Sequence, residues 1–340
     1  MPVNGNSKPF RVGVLGAGSW GTALAMLLAR NGHATVLWGR NAQAVDRMAV
    51  TRSNADYLPG VSFPANMQLS AKLGRVVSDS DLLLLACPSH AFVTVLQQVV
   101  AHRRTAQPVF WATKGFEPGS GRLLHEVAAE QLGANAPVGI VTGPTFAAEV
   151  ARSLPTAATV ASRDHDQARA LAALLHGEHF RAYTSTDIIG AEIGGAVKNV
   201  LAVATGIADG MGLGDNARSG LITRGLNETM RLGVALGAQA ETLMGLSGVG
   251  DLVLTCTGDL SRNRRFGLAL GRGVAACDAL AEIGQVVEGV KTAVELRRLS
   301  QKLGVDMPIA QVTHAIVHQG ISPRDGLRTL LSREAKPETA

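Results

Sequence analysis

A chain of 340 residues, 46% hydrophobic and 17% charged, is long enough for two cores and too apolar to be wholly disordered. Its 32 Lys and Arg against 27 Asp and Glu leave a net charge of +5, which suits an anionic substrate or cofactor and argues against a nucleic-acid binder. Aromatic residues are only 4% of the chain, so Ala, Leu and Val must build most of any core.

The start, "MPVNGNSKPF", lacks the basic-then-apolar order of a signal peptide, and residues 1–9 read as a flexible tail. No run approaches the ~20 apolar residues of a membrane span. The longest, "LLLLAC", is cut short by Pro88, so a soluble cytoplasmic protein without membrane insertion is expected. Cys87, Cys256 and Cys277 lack metal-site spacing and read as reduced, buried residues.

From Arg11 the chain alternates short apolar runs with helical stretches. The runs are "RVGVLG" (11–16), "ATVLWG" (34–39), "DLLLLAC" (81–87), "PVFWAT" (108–113), "VGIVTG" (138–143), "TAATVAS" (156–162) and "FRAYTS" (180–185). Continuous apolar runs fit strands buried on both faces, and the alternation predicts a Rossmann-type, doubly wound α/β domain with a parallel sheet over residues 10–186. From Asp187 the apolar residues recur at helical spacing, broken by Gly. This predicts a mostly α-helical C-terminal domain over 187–331 and a polar tail over 332–340.

The first run leads into "GAGSWG", a G-x-G-x-x-G spacing at Gly16, Gly18 and Gly21 with a helical stretch behind it. Gly16 permits a tight turn, Gly18 lets backbone approach a pyrophosphate, and Gly21 lets the helix pack close to the strand. An NAD-preferring site usually has Asp or Glu ending the second strand. Here Arg40 stands there, 24 positions beyond Gly16, and no carboxylate occurs before Asp46. Arg40 suits a ribose 2′-phosphate or stacking on the adenine, the alternative being a solvated loop residue; this favours NADP(H) and leaves NAD(H) open.

Ligands of this fold lie beyond the carboxyl ends of the strands. Lys114 follows the fourth run, Thr145 and Glu149 follow the fifth, and "PSHAF" follows the third. A Lys closing a buried strand calls for an anion or a path to water. In the second half, "GAEIGGAVKNVLAVATG" contains a single cation, Lys198. Gly194 and Gly195, one turn earlier, are expected to leave room beside it for a substrate. Lys198 reads as a general base, or as a structural cation paired with Asp251 or Glu192. Ser261 stands at a helix N-cap, followed by Arg262, Asn263, Arg264 and Arg265. Cationic and amide donors at a helix start suit a phosphate monoester, the alternative being a solvated basic helix face; no aromatic residues interleave to suit RNA. His314 and His318 lack an acidic partner between them, and His176 and His179 flank a turn. All four read as surface or interface residues, and no metal is expected.

These stretches, in order, resemble the bacterial NAD(P)-dependent glycerol-3-phosphate dehydrogenases. The matching blocks are "GVLGAGSWGTALA", "LLLLACPSH", "ATKGFE", "GPTFAAEVA", "GGAVKNVLAVATGIADG", "LITRGLNE", "GLSGVGDLVLTCTGDLSRNRRFG" and "GQVVEGVKTA", spanning residues 10–330 or so. The resemblance implies reversible reduction of dihydroxyacetone phosphate to sn-glycerol 3-phosphate for phospholipid synthesis, by a homodimer. It implies cofactor contacts at Ser19, Trp20, Arg40, Lys114, Ala147, Arg262, Val286 and Glu288. It also implies substrate contacts at Lys114, Gly143, Thr145, Lys198, Asp251, Ser261, Arg262 and Asn263, with Lys198 as the proton acceptor.

Two other readings remain at this level. Ketopantoate reductases and β-hydroxyacid dehydrogenases share the architecture, and "LSRNRR" could hold their carboxylate. A cofactor-sensing regulator would bind NADPH without chemistry, but it would have no use for Lys198.

Overall fold

The computed structural model describes residues 10–334, so the tail read over 1–9, and residues 335–340 of the other, lie outside it. The chain divides into two compact units. One contains the residues up to Lys114 together with Leu123–Ile188; the other contains Gly115–Arg122 and the chain from Ile189 onward.

The first unit begins with β1 (Arg11–Leu15), α1 (Ser19–Arg30), β2 (Ala34–Trp38), α2 (Ala42–Thr51) and a short hairpin, β3 (Ser53–Asn54) and β4 (Leu58–Ser62). It continues through β5 (Met67–Ser70), α3 (Leu73–Asp79), β6 (Leu82–Leu85), α4 (Ser89–Val100) and β7 (Val109–Trp111). After the excursion at 115–122 come α5 (Leu124–Leu132), β8 (Val138–Thr142), α6 (Ala147–Ala151), β9 (Thr156–Ala161), α7 (His165–Leu175) and β10 (Phe180–Ser185). Among the described residues, eight strands form one sheet in the order β10-β9-β8-β7-β6-β1-β2-β5.

All seven apolar runs are strands of this sheet, which is the Rossmann-type architecture expected. Two features differ from the sequence reading. β8 and β9 pair antiparallel, so β9 and β10 run against the parallel strands. The helix α6 between them is too short to carry a parallel crossover. The edge strand β5 also went unread: only Met67 of "MQLS" is buried, so it presents no apolar run.

Helix α1 is buried from Gly21 to Ala29 because it packs against β1 and β2 on one side and α6 and α7 on the other. Its Leu24 and Leu28 join Val12, Val14, Leu37, Phe110 and Val141 in one core. The next turn is closed by Arg30, whose guanidinium donates to the carbonyl of Ala151 at 2.6 Å. Asn31 Nδ2 donates to Leu174 O at 2.9 Å. Elements far apart in sequence are thereby fixed around the end of one helix.

The second unit is helical: α8 (Ile188–Gly210, from its second residue), α9 (Gly214–Ala235), α10 (Ala240–Leu243), a π-helical turn (Leu246–Gly250), α11 (Asp251–Thr257) and α12 (Arg262–Gly271), then α13 (Ala276–Ile283), α14 (Glu288–Leu303), α15 (Pro308–Gln319) and α16 (Pro323–Leu331). Helix α8 corrects the reading that no segment could span a membrane. Its 23 residues are long and apolar enough, but 89% of its most apolar window is buried in the protein. Its apolar character therefore reflects a central core position.

Glycines set how closely this helix is approached. A methyl group on Gly206 would lie 2.1 Å from the Arg264 carbonyl oxygen, and one on Gly267 would lie 2.1 Å from that of Val203. Backbone therefore meets backbone where α8 and α12 cross. Val203 and Ile207 of α8 join Phe266 and Leu270 of α12 in the surrounding apolar cluster.

The start of α15 is capped from another helix. Glu228 of α9 is buried and accepts from the backbone N–H groups of Ile309 (2.6 Å) and Ala310 (3.1 Å). Burial raises its pKa to about 7, against the opposing pull of those two N–H groups. Two surface readings also change. His314 is buried where α15 meets α14, with Nδ1 3.2 Å from Arg297 Nη1 and its ring 5.0 Å from that of His318. Burial, then the charges of His318 and Arg297, lower its pKa to about 4. Cys87 and Cys256 are buried as expected, whereas Cys277 is exposed near the start of α13.

Candidate active site

The glycine loop joins β1 to α1. Gly16 has φ +130°, and a methyl group there would lie 2.7 Å from the Ala86 carbonyl oxygen. At Gly21 it would lie 1.9 Å from the Gly16 oxygen, so α1 leaves the strand through a passage no side chain fits. At Gly18 it would meet nothing within 4 Å. No side chain caps the helix at Gly18, and its first turn has no acidic residue. This cradle fits a dinucleotide pyrophosphate, with backbone open on one side at a positive helix end.

Neighbouring residues are consistent with that fit. The Ser19 hydroxyl donates to Tyr57 O at 2.7 Å. Trp20 Nε1 is buried without a hydrogen-bond partner. Beyond β2, Arg40 is exposed and Asn41 caps α2 by accepting from Ala44 N.

β1, β2, β6, β7 and β8 run parallel, so the residues after them share one edge of the sheet. Gly16, Gly18, Arg40, Lys114, Gly143 and Thr145 all lie along it. Gly143 has φ +132°, and its turn is closed by the Thr145 hydroxyl donating to the Gly143 carbonyl at 3.2 Å. Ala147 is the first residue of α6.

In the helical unit, Lys198 on α8 is buried with Asp251 and Thr255 on α11. Its Nζ lies 2.5 Å from Asp251 Oδ1 and donates to Thr255 Oγ1 at 2.9 Å. The Thr255 hydroxyl donates in turn to the Asp251 backbone carbonyl at 2.6 Å, which leaves its oxygen to accept from the ammonium. Asp251 is thus the acid that Lys198 meets.

Gly194, one turn before Lys198, does not open a space. A methyl group on Gly194 would lie 2.2 Å from the Ser247 carbonyl oxygen, so that face of α8 is closed by the π-helical turn. The side chain is small there because another backbone occupies the room.

Ser261 caps α12, accepting from Arg264 N at 3.2 Å. The residues after it separate. Arg262 donates from Nη1 to Gln285 Oε1 at 3.3 Å, which brings the "GQVVEG" segment, with Val286 and Glu288, to the start of α12. Asn263 is buried; its Nδ2 donates to Asn199 Oδ1 and its Oδ1 accepts from Gly289 N, both at 2.9 Å.

Arg264 turns inward, contrary to its reading as part of a phosphate-binding basic run. It donates from Nη2 to Asp209 Oδ2 and from Nη1 to Asp259 Oδ1, each at 2.7 Å. Burial opposes its charge, but the hydrogen bonds to these two carboxylates outweigh burial and raise its pKa. Its partner Asp209 sits on α8, 55 positions away in sequence and out of reach of local sequence reasoning. Arg265 is exposed.

Thr255 and Asn199 are the polar residues that sequence reasoning missed. Asn199 adjoins Lys198, and Thr255 follows Asp251 by four positions, one helical turn, which is the signal that could have found it.

Comparison with known proteins places this arrangement. The family model described as the N-terminus of NAD-dependent glycerol-3-phosphate dehydrogenase matches residues 11–168, and the one for its C-terminus matches residues 187–328. The chain belongs to this family. Glycerol-3-phosphate dehydrogenase [NAD(P)+] of Xanthomonas euvesicatoria pv. vesicatoria is 57% identical over 328 residues, covering 96% of each chain. The enzyme of that name from Stenotrophomonas maltophilia is also 57% identical, with the same coverage. The crystal structure of glycerol-3-phosphate dehydrogenase from Coxiella burnetii superposes with a TM-score of 0.93 at 44% identity, covering 96% of this chain and 99% of that one. A ketopantoate reductase structure from Ralstonia eutropha reaches a TM-score of 0.58 at 16% identity, a likeness of fold alone.

Proposed function

We propose that this chain catalyses the reversible, NAD(P)H-dependent reduction of dihydroxyacetone phosphate to sn-glycerol 3-phosphate, supplying glycerophospholipid synthesis in the cytoplasm as a homodimer. The observation that carries the reading is the buried contact of Lys198 with Asp251 and Thr255 in a member of this dehydrogenase family. An ammonium held against a carboxylate is the proton donor that reduction of a ketone requires.

Gly16, Gly18, Ser19, Trp20 and Gly21 would hold NAD(P)H with Arg40, Lys114, Ala147, Arg262, Val286 and Glu288. When bound, it supplies the hydride. Lys198 gives its proton to the C2 oxygen in the reducing direction and takes it back in the other. Asp251 and Thr255 orient the amine. Lys114 supplies positive charge to the developing alkoxide. Ser261, Arg262 and Asn263 hold the phosphate at the start of α12, where helix N–H groups add to the cationic donors. Gly143 and Thr145 shape the turn that contacts the substrate. Arg40, with no carboxylate at the end of β2, favours NADPH over NADH.

A steady-state assay with dihydroxyacetone phosphate, comparing NADPH with NADH in the wild type and Lys198→Ala, tests the reading. We expect Lys198→Ala to lose about 10⁴-fold in kcat while its NADPH Kd stays within about threefold. Near-normal turnover by that variant would overturn the role of Lys198, and a preference for NADH would overturn that of Arg40. Turnover of ketopantoate in place of dihydroxyacetone phosphate would overturn the substrate.

A further inference from the structure

The Lys198–Asp251 contact joins α8 to α11, and a close backbone contact lies one helical turn before it. Gly194 precedes Lys198 by four positions, and Ser247 precedes Asp251 by four. These two residues meet: a methyl group on Gly194 would lie 2.2 Å from the Ser247 carbonyl oxygen, 2.9 Å from its carbonyl carbon and 3.1 Å from Gly248 Cα. The matched offsets mean that whatever separates Gly194 from Ser247 also separates the two side chains one turn on.

The far side of the turn is equally closed. A methyl group on Gly248 would lie 1.8 Å from the Leu243 carbonyl oxygen, so the turn is wedged between α8 and the end of α10. It is also a π-helical turn, Leu246–Gly250, running directly into Asp251. A π turn offsets the face presented by the residues that follow, and such turns recur where a helix must aim a particular side chain.

We infer that Gly194 is a positioning residue for catalysis: by admitting the Ser247 backbone, it sets the reach between Lys198 and Asp251. Any side chain at this position moves the π-helical turn outward and carries the Asp251 carboxylate away from the amine. A displacement of about 1 Å at a reacting group costs on the order of 10²-fold in rate. The inference rests on the assignment of Lys198 as proton donor and acceptor.

The test uses the intact enzyme and a matched control. Gly210 lies 16 residues beyond Gly194 on α8, and a methyl group there would meet the Leu268 carbonyl oxygen at 2.3 Å, a clash of the same kind away from Lys198. Gly194→Ala is expected to lower kcat about 100-fold while KM for dihydroxyacetone phosphate and Kd for NADPH stay within about threefold. Gly210→Ala, with a clash of nearly the same size, is expected to lower Tm as much as Gly194→Ala does while keeping kcat within about threefold of wild type.

A Gly194→Ala enzyme with wild-type kcat would overturn the inference, as would an equal loss in Gly210→Ala. Asp251→Glu changes the same reach by one methylene without touching the backbone contact, and is expected to lose at least about tenfold in kcat at unchanged KM. Wild-type kcat in Asp251→Glu would overturn the inference even if Gly194→Ala fails to fold. If Lys198→Ala itself retained turnover, the assignment beneath would fall. An inactive Lys198→Ala beside a fully active Gly194→Ala would overturn the positioning role alone.

Discussion

In the sheet unit, the residues that suit a dinucleotide lie close together in sequence. Gly16, Gly18 and Gly21 fall within one strand–helix junction, and Arg40 closes the next strand. In the helical unit, the partners of Lys198 lie 53 and 57 positions away, and the Asn263–Asn199 bond joins residues 64 apart. The first arrangement is a property of local backbone; the second exists only when α8, α11 and α12 are in register. Changes in the sheet unit should therefore show in cofactor affinity, and changes in the helical unit in substrate binding, turnover or stability.

The largest expected effect that would test this contrast is in the glycine loop. Gly21→Ala puts a methyl group 1.9 Å from the Gly16 oxygen and should push α1 off the strand. NADPH affinity, followed by fluorescence titration, should fall about 10³-fold. Unchanged NADPH affinity would break the comparison at its sheet side.

Next are two adjacent arginines with opposite duties. Arg264→Leu removes a buried partner of Asp209, although Arg218 still donates to that carboxylate at 3.0 Å. Denaturant unfolding should show a loss of about 3 kcal/mol. Arg262→Leu should instead raise KM for dihydroxyacetone phosphate and leave stability nearly unchanged. An exchange of these two outcomes would show that the basic run acts as a single patch.

The smallest effect concerns pH. Glu228 has a pKa of about 7 in the folded chain against the ordinary 4.5, so the folded state holds its proton more tightly. Its contribution is fully present below pH 4.5 and is lost as pH rises through 7. Wild-type unfolding free energy should therefore carry a component that falls by about 2 kcal/mol between pH 5 and pH 7. Glu228→Gln should flatten that component, since an amide has no charge to bury; an unaltered slope in the variant would show that other groups control it. His314 acts with the opposite sign. Its pKa of about 4 lies below the ordinary 6.5, so its contribution is present above pH 6.5 and lost as pH falls towards 4.

The sequence by itself determined those features that depend on neighbours along the chain. Seven apolar runs became strands because burial on both faces requires continuous apolar sequence. The loop at Gly16–Gly21, the position of Arg40 after β2 and the Ser261 cap of α12 were legible for the same reason, since turns and caps are set by a few consecutive residues. Lys198 stood out because one cation in an apolar helix needs a partner.

Only the tertiary structure decided which partner and which direction. Arg264 and Arg262 look alike in the sequence, yet one meets Asp209 across the α8–α12 crossing and the other meets Gln285. Gly194 read as an opening and proved to be filled, because a missing side chain does not reveal whether solvent, ligand or backbone takes its place. The reversal of β9 and β10, the burial of His314 and the exposure of Cys277 depend on how distant elements pack, and that information is not carried by periodicity. Thr255 joins Lys198, 57 positions away in sequence, only through the register of α8 against α11.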